Sequence, residues 1–467
     1  MAKVSEILTA AGITPYYYDA KGDIAVVHAD CRDVTAQLPE NSVDAVACDP
    51  PYALTQNSRG GSARVNDPET PFGRTHLGEK GFMGQTWDTG KVAFDPATWI
   101  NVLRVCKPGA HLLAFGGTRT FHRLTCAIED SGWEVRDCLM WLYGQGFPKS
   151  LDVSKAIDKS AGAEREVVGV SKHKSGIADA NAGPQSRETD HAWAARQSVA
   201  AHFPITAPAT DAARQWSGYG TALKPAWEPI ILARKPLEGT VAENVQTWDC
   251  GALNIDGGRI GTETRTYKGS GPHKIKLDNH GKGDTGVGYM DGGSKNSTFT
   301  ATGRFPANLL LDEEAAAMLD EQSGQSTSPV KVTRGGKRKQ AFGMSEQTDV
   351  PCYADCGGAS RFFYTSKASG KDRGNLPAQS LPLFGESIHE FRNTHPTVKP
   401  TDLMEYLCTL LRTPTGGVFL DPFGGSGTTA VACKALGLPC IVCEIEERYA
   451  SIASERLRQE VLSFGVD

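Results

Sequence analysis

The sequence predicts an α/β protein built on a doubly wound sheet of seven strands, circularly permuted and interrupted by irregular insertions. Three observations carry this. Short apolar runs bounded by turn residues alternate with segments of helical apolar spacing, over residues 22–150 and again over 391–467. A strand, glycine loop and helix unit lies near the C-terminus (Val418 to Leu436), although such a unit normally opens its sheet. About 40 residues follow Gly427, enough for one more strand and helix, so the remaining strands must come from the N-terminal part of the chain.

In order, Ile24–His28 reads as a strand and the stretch around Val34 and Leu38 as a helix. Val43–Cys48 is a buried strand, bounded by Asn41-Ser42 and by Pro50-Pro51. Residues 53–90 are Gly-rich, carry Arg59, Arg64, Arg74 and Trp87, and read as a long loop of the kind that often serves function. A helix through Ala97, Ile100, Leu103 and Arg104 follows, and Pro108-Gly109 turns the chain into the strand His111–Phe115. Phe121–Asp130 is a helix stopped by Gly132, and Glu134–Tyr143 a strand. The periodicity fails over 151–218, an insertion, and returns in the strand Glu228–Ala233. Residues 241–390 are again irregular. A helix after Pro400, the strand Val418–Asp421 and the loop Phe423–Gly427 come next. The helix Thr428–Leu436 with its Gly437 stop, the strand Cys440–Glu444 and a charged amphipathic helix close the chain. The domains are therefore 1–150, one half of the sheet; 151–218, an insertion; 219–240, a returning strand; 241–390, an irregular region; and 391–467, the other half.

The net charge of −5 gives no global positive field, so any nucleic-acid contact must come from a local patch. Lys331, Arg334, Lys337, Arg338 and Lys339 form one, although such runs are also ordinary solvated loops. The twelve cysteines are spread through apolar runs: Cys48, Cys106, Cys126, Cys138, Cys408 and Cys433 sit where small core residues belong. Cys440 and Cys443 fall on opposite faces of one strand, and Cys352 and Cys356 lack a second pair or nearby histidine, so no metal site is expected. No run of 18 apolar residues and no apolar signal core is present, and the chain reads as soluble and cytoplasmic with reduced thiols.

Two stretches carry chemistry. In Asp49-Pro50-Pro51-Tyr52 the prolines fix the backbone leaving a strand, at the edge where open α/β sheets bind ligands. The segment offers a carboxylate acceptor, a carbonyl with no competing N–H and a ring face, a set suited to a planar, amine-bearing ring. Taken alone it also reads as a capped turn. In Gly425-x-Gly427-x-x-Ala430, followed by Glu444 at the end of the next strand, the glycines allow close backbone approach and the acid is placed for ribose hydroxyls. Nicotinamide, flavin and S-adenosylmethionine sites share that fingerprint.

Together these residues resemble the DNA amino-methyltransferases of the permuted β group, phage-type members included. Asp49-Pro50-Pro51-Tyr52 is similar to the catalytic motif, Asp421-Pro422-Phe423-Gly424-Gly425-Ser426-Gly427-Thr428-Thr429 to the cofactor loop, and His395-Pro396-Thr397-Val398-Lys399-Pro400 to the motif before it. Trp227-Glu228-Pro229 and the stretch from Gly357 to Arg373 add to the likeness. The resemblance implies the S-adenosylmethionine-dependent methyltransferase fold and site-specific transfer to adenine N6 in double-stranded DNA by base flipping. Asp49 and the Pro50 carbonyl would accept the amine N–H groups, and Tyr52 would stack on the base. Phe423, Gly425, Gly427 and Thr428 would shape the donor site, with Asp421 at the methionine amino end, Glu444 on the ribose and Asp30 near the adenine. His395 and Lys399 would complete it. A sulfonium brings its own leaving group, so no metal is needed. The insertions 151–218 and 241–390 would read DNA, making 241–390 a target-recognition region. Homodimers are common in the group, and a separate restriction endonuclease is a compatible partner. Cytosine N4 is the nearest alternative, although Asp at the first motif position leans toward adenine. RNA or a glutamine amide usually goes with Asn there, and an NAD oxidoreductase would leave Asp49 to Tyr52 unexplained.

Overall fold

Among the described residues of the computed structural model ten strands join one mixed sheet, three more than expected. The structure describes residues 3–53, 90, 92–144, 146, 150–172, 202–268, 298–327, 331–334, 348–351, 356–366 and 398–458. The sheet strands are β1 (Tyr17–Asp19), β2 (Ile24–His28), β3 (Val43–Cys48), β4 (Cys106–Phe115), β5 (Glu134–Leu142), β6 (Trp227–Arg234), β7 (Leu309–Asp312), β8 (Tyr364–Ser366), β9 (Phe419–Asp421) and β10 (Cys440–Glu444). Their spatial order is β1-β2-β10-β9-β3-β4-β6-β5-β7-β8. β9 and β10 thus lie between β2 and β3.

β2, β10, β9, β3 and β4 run parallel, and β6 is antiparallel to both β4 and β5. β7 and β8 add parallel pairs beyond β5. Those two strands, with the helix Glu313–Ser323 between them, correct the expectation that 241–390 is irregular throughout. β4 also begins earlier than expected: Pro108-Gly109 sits within the strand as an irregularity, Gly109 at φ 81°, and the pairing with β3 shifts there.

Strand alternation divides the core between two faces. One face packs Val46, Cys48, Leu112, Ala114, Leu420 and Cys443 against the helices Cys31–Gln37, Pro96–Val105 and Phe121–Asp130. The other packs Ala45, Ala47, Leu113, Phe115, Phe419 and Cys440 against Thr401–Leu411, Thr428–Leu436 and Glu447–Arg458. Cys440 and Cys443 accordingly lie on opposite faces. Cys126 is exposed and Cys138 half-buried, contrary to their reading as core, because Cys126 falls on the outer side of its helix and β5 is partly open.

Residues 1–144 and 227–467 form one compact unit and 145–226 a second. The second contains the antiparallel pair Val167–Lys172 and His202–Thr206 with the helices Val153–Ser160 and Asp211–Gln215. It is organised on buried Asp158, which pairs with Arg165 at 2.6 Å and accepts the Ala209 N–H at 2.9 Å and the Thr210 N–H at 3.0 Å.

Candidate active site

β3 and β9 are parallel neighbours, with Ala45 opposite Phe419 and Val46 opposite Leu420. The chain leaves β3 through Pro96–Val105 on one face and leaves β9 through Thr428–Leu436 on the other. The crossovers therefore diverge between these two strands, and a crevice opens at their carboxyl ends. Asp49 follows β3 there, and Phe423 to Gly427 follow β9. The two stretches singled out in the sequence share one edge of the sheet.

On the β3 side, Pro50 is buried and Ala53 takes the left-handed conformation at φ 54°, a sharp exit after Tyr52. The Thr120 hydroxyl donates to the Tyr52 carbonyl at 2.8 Å and fixes this turn to the start of the helix Phe121–Asp130. Glu228, at the start of β6, reaches the same edge because β6 runs antiparallel to β4. Between these groups lies Lys399. Its Nζ is 2.9 Å from Asp49 Oδ2, 3.1 Å from Glu228 Oε2 and 3.0 Å from the Tyr52 hydroxyl. The Tyr52 hydroxyl in turn donates to Glu228 Oε2 at 3.0 Å. Lys399 is 7% exposed and lies 4.9 Å from the Phe115 ring centroid. Burial alone would push its charge off, but the Asp49 and Glu228 carboxylates outweigh burial and raise its pKa above the usual lysine range. Burial likewise lifts the Tyr52 phenol, helped by the same two carboxylates. Asp49 Oδ1 is buried and has no hydrogen-bond partner among the described residues.

On the β9 side, Asp421 ends the strand, is 2% exposed and accepts the Phe423 N–H at 2.9 Å. Burial pushes its carboxyl up to about 7; the Thr429 hydroxyl and Phe423 N–H oppose this, and the charge of Asp49 adds to it. Gly425 and Gly427 sit at φ 52° and 78°, so the loop turns through conformations that favour glycine and leaves bare backbone before the helix N-terminus. Glu444 Oε2 accepts the Gly425 N–H at 2.7 Å and Oε1 the Glu446 N–H at 2.8 Å, while burial pushes its carboxyl up to about 7 against both bonds. Phe423 packs 6.0 Å from Trp99, centroid to centroid. The Thr428 hydroxyl accepts from Arg456, which also bonds the Ser426 carbonyl at 2.8 Å.

The structure thus brings together Asp49, Pro50, Pro51 and Tyr52 with Asp421, Phe423, Gly425, Gly427 and Thr428, and sets Glu444 one strand away on β10. Asp30 lies beyond β2 and caps the helix Cys31–Gln37; the Arg32 guanidinium holds its carboxyl below the usual range, with a contact of 2.6 Å. Both Asp30 oxygens face Arg32. Lys399 differs from the expectation: its bonds are to the Asp49 side rather than to the glycine loop. Glu228 escaped the reading as a site residue, although it is part of Trp227-Glu228-Pro229; a carboxylate opening an otherwise apolar strand was the available signal. His395, the arginines of 59–74, Trp87, Cys352 and Lys337 to Lys339 lie outside the described residues, as do the side chains of Lys331 and Arg334. Among the described residues no cluster of three or more potential metal ligands occurs, and no helix is long and apolar enough to cross a membrane.

Residues 302–455 match a family model described as DNA methylase, of the N6/N4 type. The Type II methyltransferase M.SmaI of Serratia marcescens is 50% identical over 54 residues, 12% of this chain and 18% of that one. The Type II methyltransferase M2.DpnII of Streptococcus pneumoniae is 41% identical over 75 residues, 16% and 28%. The chain spans under a third of the length of either relative. Among solved structures, the PvuII DNA methyltransferase (cytosine-N4-specific) aligns with 97% of this chain and 91% of its own at 11% identity, with a TM-score of 0.39. A likeness at that score supports no structural argument.

Proposed function

We propose, on the match of residues 302–455 to the DNA methylase family model of the N6/N4 type, that the chain is a site-specific DNA methyltransferase. It moves a methyl group from S-adenosylmethionine to the N6 amine of an adenine flipped out of duplex DNA. One observation carries the reading: a buried carboxylate oxygen, Asp49 Oδ1, without a partner among the described residues, at the switch point shared with the glycine loop. A buried acceptor in that state is costly unless a ligand supplies the donor.

An exocyclic ring amine is a poor nucleophile because its lone pair is delocalised into the ring. Asp49 Oδ1 and the Pro50 carbonyl accept its two N–H bonds, drawing electron density back to nitrogen and fixing the direction of its lone pair. The Tyr52 ring supports the flipped base, its hydroxyl tethered to Lys399 and Glu228. The residues on the β9 side fit the donor. Left-handed Gly425 and Gly427 leave room for close approach, Asp421 offers a buried carboxylate for a cationic amino end, and Glu444 keeps acceptor capacity for ribose hydroxyls. When bound, the donor supplies an activated methyl on a sulfonium with a neutral thioether leaving group. The chain's part is positioning and charge placement. The insertions 151–218 and 241–390 supply DNA contacts, and Asp at the first motif position favours adenine over cytosine.

The test is expression of the full chain in a host lacking DNA methylation, followed by modified-base sequencing of the genomic DNA. N6-methyladenine in one sequence context, absent with Asp49→Ala, is expected. N4-methylcytosine would change the base and keep the enzyme; unmodified DNA from a protein that binds S-adenosylmethionine would overturn the reading.

A further inference from the structure

Lys399 and Glu228 take part in the site without belonging to either half of it as the sequence divides it. Three oxygens surround Lys399 Nζ within 3.1 Å, matching the three N–H donors of an ammonium: Asp49 Oδ2, the Tyr52 hydroxyl and Glu228 Oε2. With all three engaged the ammonium has no spare donor for a ligand, and a residue in that state fixes its neighbours. It anchors one Asp49 oxygen and thereby determines where the other, which has no partner among the described residues, points. Glu228 closes the ring by pairing with the lysine charge and accepting the hydrogen bond that the Tyr52 hydroxyl donates. The aromatic walls at 5.1 Å (Tyr52) and 4.9 Å (Phe115) confine the ammonium on its remaining sides.

We propose that Lys399 and Glu228 are positioning residues for the target amine, an ion-paired clamp that presents Asp49 Oδ1 and holds the Tyr52 ring, and not part of the donor site. This rests on the methyltransferase reading. It adds a division of labour: the segment just ahead of the helix Thr401–Leu411 serves the β3 side.

The test uses the full chain, DNA from a methylation-free host, and two measurements: single-turnover transfer at saturating S-adenosylmethionine, and donor affinity by calorimetry. Lys399→Met is expected to slow transfer at least 100-fold, with donor Kd within threefold of the parent. Glu228→Gln, nearly isosteric, keeps the fold if Lys399→Met does not; it is expected to slow transfer about tenfold with unchanged donor Kd and unchanged KM for DNA, since the charge is lost and the shape kept. Donor binding also certifies that each variant is folded. Donor affinity falling tenfold or more in Glu228→Gln or in folded Lys399→Met, with transfer at saturation near the parent rate, would overturn the clamp and return Lys399 to the donor site. Parent-like kinetics in Glu228→Gln would overturn it as well. An inactive parent protein would instead sink the methyltransferase reading itself.

Discussion

At Asp49 the local physics separates catalysis from stability. Removing its carboxylate leaves Lys399 still paired with Glu228 and Tyr52, so no buried charge is orphaned. Asp49→Ala is therefore expected to unfold near the parent midpoint in urea while losing about 10²- to 10³-fold in transfer rate, the scale of removing one preorganised hydrogen-bonding group. Loss of cooperative unfolding would show that Asp49 is structural. Asp421 and Glu444 behave differently. Both carboxyls sit near pH 7 in the fold and near their ordinary values when unfolded, so the native state binds more protons across roughly pH 4–7. Stability from these groups is fully present below that window and declines as pH rises through it. A donor ammonium at Asp421 needs the ionised form, so donor affinity should rise with pH through about 7, with proton uptake by the buffer. Calorimetry at pH 6 and pH 8, with Asp421→Asn as the non-titrating control, checks the sign. A pH-independent Kd would remove Asp421 from the amino-end role. At this scale Asp49 to Tyr52 and the glycine loop were legible because prolines and glycines mark backbone whose shape they dictate. Glu228 was not: it meets Tyr52 across 176 positions, and Tyr52 meets Lys399 across 347, a closure that no local pattern carries.

The glycine loop shows how an element's shape, rather than any side chain, sets a site. Gly427 stands at φ 78°, and a Cβ there would lie 2.7 Å from Ala453 Cβ and 3.1 Å from its Cα, on the helix Glu447–Arg458. Gly437, at the other end of the helix Thr428–Leu436, also has positive φ (65°) but nothing within 4 Å of an added Cβ. Gly437→Ala is expected to cost about 1 kcal/mol from left-handed strain alone, whereas Gly427→Ala adds a clash with the Ala453 Cβ and should cost about 3 kcal/mol or more. Chemical denaturation of the two variants measures this. Equal costs would mean that the close approach to Ala453 relaxes freely. The strands that the sequence revealed are those with long apolar runs, such as β3 and β10, buried along their whole length. β7 and β8 have four and three residues, too short for alternation to register, and their pairing with β5 and with each other is decided by the rest of the sheet. Pro108-Gly109 read as a turn for the opposite reason: its local signal is strong, but the neighbouring strands absorb it as an irregularity in β4.

For the whole molecule, the strand order joins the two halves of the chain in one sheet, with β9 and β10 lying between β2 and β3. What the sequence could not give was that the two strands flanking residues 145–226 pair with each other, and the register does. β5 and β6 form an antiparallel pair in which Leu142 faces Trp227, so 145–226 occupies the position of a hairpin connection. A hairpin needs two to five residues there. The first unit keeps its own core on both faces of the sheet, and its candidate site is built from residues 49–52, 228, 399 and 421–444, all inside that unit. Replacing 145–226 by a short Asn-Gly turn should therefore leave a chain that unfolds cooperatively and binds S-adenosylmethionine within about threefold of the parent, since loop closure favours the shorter connection. If the insertion supplies DNA contacts, the same chain should bind duplex DNA more weakly and with a shallower salt dependence, each lost phosphate contact removing close to one unit from the slope of log K against log salt. Filter binding across a salt series, beside donor calorimetry, reads both arms. Undiminished DNA binding would move recognition to 241–390 alone, and loss of donor binding would show that the sheet depends on the insertion for its fold.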